Sequence, residues 1–150
     1  MPETSSDVIT RYLHDAIATE KGFEAQLQSF AKDSGGAAVK PVFQRQAAEA
    51  RRHSERLSAR LESLGGSRSA ARSVLAQLFS VDPKNRTRNL MATFALENSG
   101  MAMYASLAAI AGAAGDSETA ELARDLQAER KTTAETIWNL LGPAALAAKS

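Results

Sequence analysis

The sequence contains no cysteine, and this absence excludes several kinds of chemistry. Without thiols the chain forms no disulfide bonds, has no thiolate nucleophile and cannot build a zinc site on sulfur ligands. An excess of charge of one sign is also missing, because the net charge is only +1. The composition therefore gives no reason to expect a nucleic acid or a membrane surface as a partner.

Long hydrophobic runs are missing as well. The longest nearly apolar stretch, 101–114, is too short to span a bilayer. The first 15 residues are polar and lack the apolar segment of a secretory signal, so we expect a cytoplasmic protein. A chain of 150 residues with 44% hydrophobic and 23% charged residues has the size and composition of one soluble globular domain.

Apolar residues recur at spacings of three and four in four segments, which is typical of helices in a bundle. The pattern predicts helices over about residues 6–32, 39–64, 86–113 and 117–141. A short glycine-containing loop makes the first two an antiparallel hairpin. Residues 65–85 are too long for a hairpin turn and contain a short amphipathic piece of their own. The expected fold is all-α, a four-helix bundle with a long crossover between helices 2 and 3 that carries a short extra helix.

Each predicted helix carries one glutamate in the middle of an otherwise apolar face. Buried carboxylates repel one another and lose hydration, so such a cluster is unfavourable unless cations neutralise it. Carboxylate and imidazole ligands suit iron and manganese, and inward glutamates on every helix are the pattern of di-iron carboxylate bundles. The predicted metal ligands are Glu20, Glu49, His53, Glu97 and Glu129.

Four short motifs at these positions resemble a known family. They are Ala18-Thr19-Glu20-Lys21, the segment Glu49–Leu57, Glu97 with Tyr104 seven residues later, and Glu129-Arg130-Lys131. In this order, and with the crossover, the chain resembles the ferritin-like superfamily and within it the YciE/YciF-type stress-associated proteins. The resemblance covers about residues 6–141. It implies a small bundle, often dimeric, with a di-metal site for iron or manganese.

The histidines depart from the usual ferritin-like pattern. That pattern has Glu-x-x-His on two helices, whereas helix 2 has His53 four residues after Glu49, and helix 4 has Thr132 and Thr133 where a histidine would stand. One hypothesis is a metal-binding protein of stress protection, with oxygen or peroxide as co-substrate. The alternative is a structural helical bundle of the stress response, without catalytic activity, whose metal site has decayed. Neither hypothesis assigns a catalytic residue.

The partners expected from the sequence are metal ions and a second copy of the chain. Helix 3 carries a second row of apolar side chains, and Trp138 lies beside the apolar face of helix 4 rather than on it. Either the crossover or a second subunit would cover such an apolar patch. Closed two-fold pairing is the commonest way to cover one, so we expect a homodimer formed partly through helix 3 and the crossover. The second row of helix 3 consists of Leu96, Met103, Leu107 and Ile110.

An arginine line along helix 2 predicts a solvated surface rather than a nucleic-acid interface. Arg52, Arg56 and Arg60 follow one another at intervals of four residues. Glu55 and Glu62 balance their charge, which is typical of a charged helix face in water. Nucleic acid is therefore not an expected partner.

Overall fold

The computed structural model describes residues 3–33, 39–66 and 86–147, and the regular structure of these residues is entirely helical. The helices are α1 (Ser5–Asp33), α2 (Lys40–Ser63), α3 (Arg86–Ala113) and α4 (Ser117–Ala147). The predicted all-α bundle is confirmed. The predicted crossover helix falls within residues 67–85 and so lies outside the described residues.

Local hydrogen bonds explain where two of the helices begin. At α1, the Thr4 hydroxyl accepts a hydrogen bond from the Asp7 amide (3.1 Å), and the Asp7 carboxylate accepts one in return from the Thr4 amide (3.0 Å). At α4, Asp116 accepts a hydrogen bond from the Thr119 amide (3.1 Å). These caps, of which the one at α1 is reciprocal, satisfy amide groups that the first turn of a helix leaves without partners. Gly115 takes a φ of +78° in the tight α3–α4 turn, a conformation that favours glycine.

Helix α4 extends six residues past its predicted end at Leu141 and includes Pro143. Proline disrupts a helix because it lacks an amide hydrogen and its ring crowds the preceding turn. Here it stands in the last turns, and the following residues are rich in alanine, the residue with the highest helix propensity. Gly142-Pro143 therefore does not end the helix.

The helices pack as two antiparallel pairs. α1 packs along α2 and α3 along α4, while α1 also touches α3 and α2 makes only sparse contact with α4. The start of α1 meets the end of α2 and the end of α3 in one apolar cluster. α2 and α3 therefore run in the same direction, as the predicted crossover requires.

The core consists of two apolar clusters at opposite ends of the bundle. One is centred on Leu13, Leu57 and Tyr104, and the other on Phe30, Phe43 and Ile137. Between them lies a layer of buried polar side chains. The bundle is thus apolar at both ends and polar in the middle.

The second apolar row predicted on α3 is only partly at the surface. Leu96 and Leu107 are buried within the chain itself, whereas Met103 and Ile110 are half-buried. Two of the four residues assigned to a dimer contact thus belong to the core of the single bundle. Trp138 of α4 is 63% exposed and packs on Phe94 of α3, with ring centroids 5.4 Å apart. The homodimer itself stays a prediction.

Among the described helices, none combines the length and the apolar character needed to cross a membrane.

Candidate metal centre

The polar layer receives one fully buried side chain from each helix. Glu20 comes from α1, His53 from α2, Glu97 from α3 and Arg130 from α4, and each is at most 1% exposed. Each takes the place that an apolar side chain would take along the inward face of its helix. Charged groups are buried at this depth only when they are paired. The contacts among these four side chains therefore permit their burial.

Arg130 joins two of the glutamates. Its Nε donates to Oε1 of Glu20 at 3.2 Å, and one of its terminal nitrogens donates to Oε2 of the same carboxylate. The other terminal nitrogen donates to Oε1 of Glu97 at 2.6 Å. This is a two-point contact with Glu20 and a one-point contact with Glu97. Two-point contacts between guanidinium and carboxylate are among the strongest hydrogen-bonded pairs in proteins.

The pKa values of the two glutamates differ in direction because their contacts differ. Burial alone would raise the pKa of Glu20, but the attraction of Arg130 and hydrogen bonds from His53 and Tyr104 hold it below its ordinary value. For Glu97, burial outweighs the attraction of Arg130 and raises the pKa to about 7. Oε2 of Glu97 has no hydrogen-bond partner among the described residues. Glu20 is thus firmly ionised, whereas Glu97 is only weakly acidic.

The guanidinium of Arg130 is held in a fitted space. It lies over the ring of Phe23, 5.2 Å from the ring centroid. On another side it faces Gly100, where an added Cβ would stand 3.5 Å from Cδ of Arg130. Burial alone would lower the pKa of Arg130, but the attraction of Glu20 and Glu97 raises it above its ordinary value. Arg130 is therefore a permanent, immobilised positive charge.

A second group of polar side chains gathers at the edge of this layer. Nε2 of His53 lies 2.5 Å from Oε2 of Glu129 and 3.7 Å from Oε1 of Glu49. One ligand atom from each of the three residues falls within 4.8 Å of the others, which is a spacing that a metal ion can bridge. Glu49 is nearly buried, whereas the side chain of Glu129 is 38% exposed. The group therefore extends from the core to the surface.

His53 connects the two groups of polar residues. Its Nδ1 lies 3.4 Å from Oε1 of Glu20, and because an ionised carboxylate can only accept, Nδ1 donates this hydrogen bond. With the proton on Nδ1, a neutral ring presents a lone pair at Nε2, and this atom faces Glu129. At 2.5 Å, Nε2 of His53 and Oε2 of Glu129 are at hydrogen-bond distance, and a metal ion bound to both atoms would require them to move apart. Carboxylate–histidine pairs of this kind orient metal-binding histidines in many proteins.

Neighbouring side chains position the two outer glutamates. The Thr133 hydroxyl donates to Oε2 of Glu49 at 2.7 Å. Burial alone would raise the pKa of Glu129, but the contact with His53 and the attraction of Arg52, which lies 3.4 Å away, lower it below its ordinary value. Both glutamates line an open cavity of about 520 Å³ between α2 and α4, where these helices barely touch. This cavity opens Glu49 and Glu129 to solvent, whereas His53 is fully buried and does not line it.

The five predicted ligands thus fall into two sets. Glu49, His53 and Glu129 come together at the cavity. Glu20 and Glu97 lie deeper and are paired with Arg130. The assignment of all five as metal ligands stays a prediction.

Arg130 is the residue that sequence reasoning missed. The larger apolar residues of α4 predict an inward face that includes Glu129, whereas the side chain buried at this level is that of Arg130, one position later. A signal was present in the alanines, because Ala123, Leu126, Arg130, Ala134 and Ile137 follow one another at spacings of three and four and all are buried.

Comparison with known proteins identifies the family of the chain. A family model described as "Domain of unknown function (DUF892)" matches residues 4–148, nearly the whole sequence. The chain belongs to this family. Among curated proteins, none matches the sequence closely enough to count as a relative.

Solved structures establish the fold of this DUF892 protein as ferritin-like. The stress protein YciF of E. coli is 22% identical, with a TM-score of 0.83 over 96% of this chain and 98% of that one. A protein from Xanthomonas campestris pv. campestris is 24% identical, with a TM-score of 0.82 over 95% and 94%. A ferritin-like, diiron-carboxylate protein from Bacillus anthracis str. Ames is 17% identical, with a TM-score of 0.80 over 93% and 99%. The predicted ferritin-like fold, and the resemblance to YciF in that fold, are confirmed.

The residues of this DUF892 protein fit one metal ion better than two. Two carboxylates and one imidazole from Glu49, His53 and Glu129 form a donor set suited to iron or manganese. The space between Glu20 and Glu97, where a di-metal bundle would hold further positive charge, contains the guanidinium of Arg130. The chemistry of the donor set thus points to the cavity side of the polar layer.

Proposed function

We propose that this protein is a ferritin-like metal-binding protein that holds one divalent iron or manganese ion at Glu49, His53 and Glu129. The observation that carries this proposal is that Glu49, His53 and Glu129 each bring one ligand atom within 4.8 Å of the others. A cation there would relieve the repulsion between the two carboxylates.

Other residues of the chain would prepare these ligands. Glu20 keeps the proton of His53 on Nδ1, which directs the lone pair of Nε2 toward the cavity. Thr133 fixes the orientation of Glu49 by its hydrogen bond at 2.7 Å. Arg52 partly neutralises Glu129 from the solvent side and would have to yield part of that contact to a metal ion. The two ligands on α2, Glu49 and His53, are therefore held in position before metal binds, whereas Glu129 on α4 would have to change its contact with Arg52.

A bound iron or manganese ion would supply redox chemistry toward oxygen or peroxide, which is the finer function proposed for stress protection. The cavity between α2 and α4 gives small molecules a path to two of the three ligands, Glu49 and Glu129. The apolar clusters on both sides limit the water that reaches the buried part of the layer. Small, uncharged co-substrates suit this geometry best.

Metal analysis tests the proposal. The protein is purified without chelator, dialysed against Mn²⁺ or, without oxygen, against Fe²⁺, and its metal content is measured by mass spectrometry. We expect about one ion per chain, lost in Glu49→Gln and His53→Gln. His14→Gln serves as the matched control, because His14 is the other of the two histidines in the sequence. Wild-type protein that takes up neither metal in stoichiometric amounts would overturn the proposal.

A structural role without metal is the second candidate, and one observation favours it. Arg130 already neutralises the deepest carboxylates, so the bundle can fold without a cation. Under this hypothesis Glu129→Gln leaves the free energy of unfolding nearly unchanged, whether or not Mn²⁺ is added. Under the metal hypothesis Mn²⁺ stabilises the wild type by mass action, and Glu129→Gln abolishes that stabilisation.

A further inference from the structure

The two most deeply buried carboxylates, those of Glu20 and Glu97, are already paired with a positive charge of the chain itself, the guanidinium of Arg130. We propose that the guanidinium of Arg130 is a built-in substitute for a second metal ion and restricts the bundle to one divalent cation. This inference rests on the proposed metal function at Glu49, His53 and Glu129. It adds that Glu20 and Glu97 accept hydrogen bonds from Arg130 and do not bind metal.

The hydrogen bonds of Glu20 leave little room for a metal bond. Its Oε1 accepts from the Tyr104 hydroxyl at 2.5 Å and from Nε of Arg130 at 3.2 Å, and it also faces Nδ1 of His53. Its Oε2 accepts from a terminal nitrogen of Arg130. A carboxylate oxygen has two lone pairs, so Oε1 is fully used and Oε2 already faces a positive charge. A divalent ion next to Oε2 would be repelled by the guanidinium.

Glu97 offers too few donors to hold an ion alone. Its Oε1 is bonded to Arg130 at 2.6 Å, and only Oε2 is left without a partner among the described residues. Iron and manganese sites need several oxygen or nitrogen ligands. A single buried oxygen beside a guanidinium does not meet that need. The unused atom marks where a second ion would gain a ligand if Arg130 were absent.

Gly100 on α3 provides the space for this arrangement. It lies one turn after Glu97, so both face the same side of the helix, toward Arg130 on α4. A Cβ at this position would stand 3.5 Å from Cδ and 3.6 Å from Nε of Arg130, and 3.6 Å from the ring of Phe23. These are ordinary contact distances, so a methyl group is tolerated but a longer side chain would displace the arginine. The core is shaped to hold a guanidinium.

Mn²⁺ binding to four proteins tests the inference. Wild type, Arg130→Met, Arg56→Met and Glu97→Gln are dialysed against Mn²⁺ alone, and bound manganese per chain is measured. We expect one ion in the wild type and two in Arg130→Met. Without the guanidinium, the buried carboxylates of Glu20 and Glu97 lack a neutralising charge, which a metal ion would supply. Arg56→Met is the matched control, since Arg56 forms only an exposed pair with Asp125 at 3.5 Å, and it should keep one ion. Glu97→Gln should keep one ion with its affinity changed by less than about threefold, as a residue outside the donor set.

Each outcome separates this inference from the proposed function. Two ions in the wild type, no gain in Arg130→Met, or loss of the ion in Glu97→Gln would overturn the role of Arg130. No ion in the wild type but one in Arg130→Met would refute the proposed function and uphold Arg130 as a cation substitute. If Arg130→Met does not fold without metal, it is refolded with Mn²⁺. Recovery of its helical circular dichroism supports the inference, and failure to recover it overturns it.

Discussion

Arg130 of α4 donates hydrogen bonds to both carboxylate oxygens of Glu20 on α1, and both side chains are completely buried. Removing one partner from a buried pair leaves the other charge unpaired in a medium of low polarity. We expect Glu20→Gln, which removes the charge but keeps the size, to lower the free energy of unfolding by about 3 kcal/mol. Urea denaturation followed by circular dichroism measures this difference.

Glu24→Gln is the matched control on the same helix. The Glu24 carboxylate accepts an exposed hydrogen bond from Gln28 at 3.3 Å, so its replacement should change the free energy of unfolding by less than about 0.5 kcal/mol. Equal stability of Glu20→Gln and the wild type would show that the buried pair contributes nothing to folding.

Thr133 offers a test of how Glu49 is oriented. Its hydroxyl donates to Glu49 at 2.7 Å, and Thr133→Val removes this hydrogen bond while keeping the shape of the side chain. We expect Mn²⁺ affinity to fall by about 10-fold to 100-fold, as for other residues that orient metal ligands, with little loss of stability. Isothermal titration calorimetry measures the affinity.

Thr132→Val is the control for that variant. Thr132 lines the same cavity, but its hydroxyl donates to the backbone oxygen of Ala128. Its affinity for Mn²⁺ should match that of the wild type. The role given to Thr133 fails if both valine variants bind Mn²⁺ equally well.

The hydrogen bonds that Asp116 accepts at the start of α4 predict that the stability of the protein depends on pH. Burial alone would raise its pKa, but hydrogen bonds from Thr119 and Arg60 lower it below the ordinary value of 3.8. A carboxyl with a lowered pKa in the folded state stabilises the protein above its unfolded pKa, and this stabilisation is lost as the pH falls through the folded pKa. Asp116→Ala should therefore cost about 1–2 kcal/mol at pH 7, mainly through the lost helix cap.

The cost of Asp116→Ala should shrink as acid protonates Asp116 in the wild type. Urea denaturation of both proteins at pH 7 and below the ordinary pKa of aspartate gives the comparison. Asp125→Ala, which removes a partner of an exposed pair with Arg56, should change stability by less than about 0.5 kcal/mol at either pH. A cost of Asp116→Ala that is the same at both pH values would contradict the linkage.

Trp138 is a probe for the predicted homodimer, because it is the single tryptophan of the sequence and is 63% exposed within one chain. If pairing covers it, dilution should shift its fluorescence to longer wavelength while light scattering shows the mass fall by half. Trp138→Gln should weaken pairing, and Leu146→Gln, at another exposed apolar residue, should not. A monomeric mass at micromolar concentration, with a spectrum that dilution does not change, would refute the dimer.

The sequence predicts the helices well because local rules determine them. Apolar spacing locates the four helices, and Thr4 and Asp116 mark two starts by cap chemistry that acts over three residues. The end of α4 was less predictable, since the alanine-rich tail sustains a helix across Pro143. Such a balance between a helix breaker and the following residues is not visible in a motif.

The site is less predictable because it depends on how helices are rotated. Glu129 and Arg130 are neighbours in sequence, and one residue corresponds to a rotation of 100° about the helix axis. A carboxylate is expected in a metal site and an arginine on the surface, so the charged motif alone favours the wrong one of the two for the deepest position. Only the packing of α4 on α3, together with the contact of Arg130 with Glu20 of α1, distinguishes them.

The polar layer takes one side chain from every helix, and this has a consequence for how the bundle assembles. A slip of α4 by one turn would move Arg130 by about 5.4 Å, beyond reach of Glu20 and Glu97. Leucines and alanines would still find apolar neighbours after such a slip, but Arg130 would lose both of its carboxylate partners, and Glu20 and Glu97 would lose its positive charge. Arg130 therefore specifies the axial register of the helices. An entirely apolar core would tolerate several such registers.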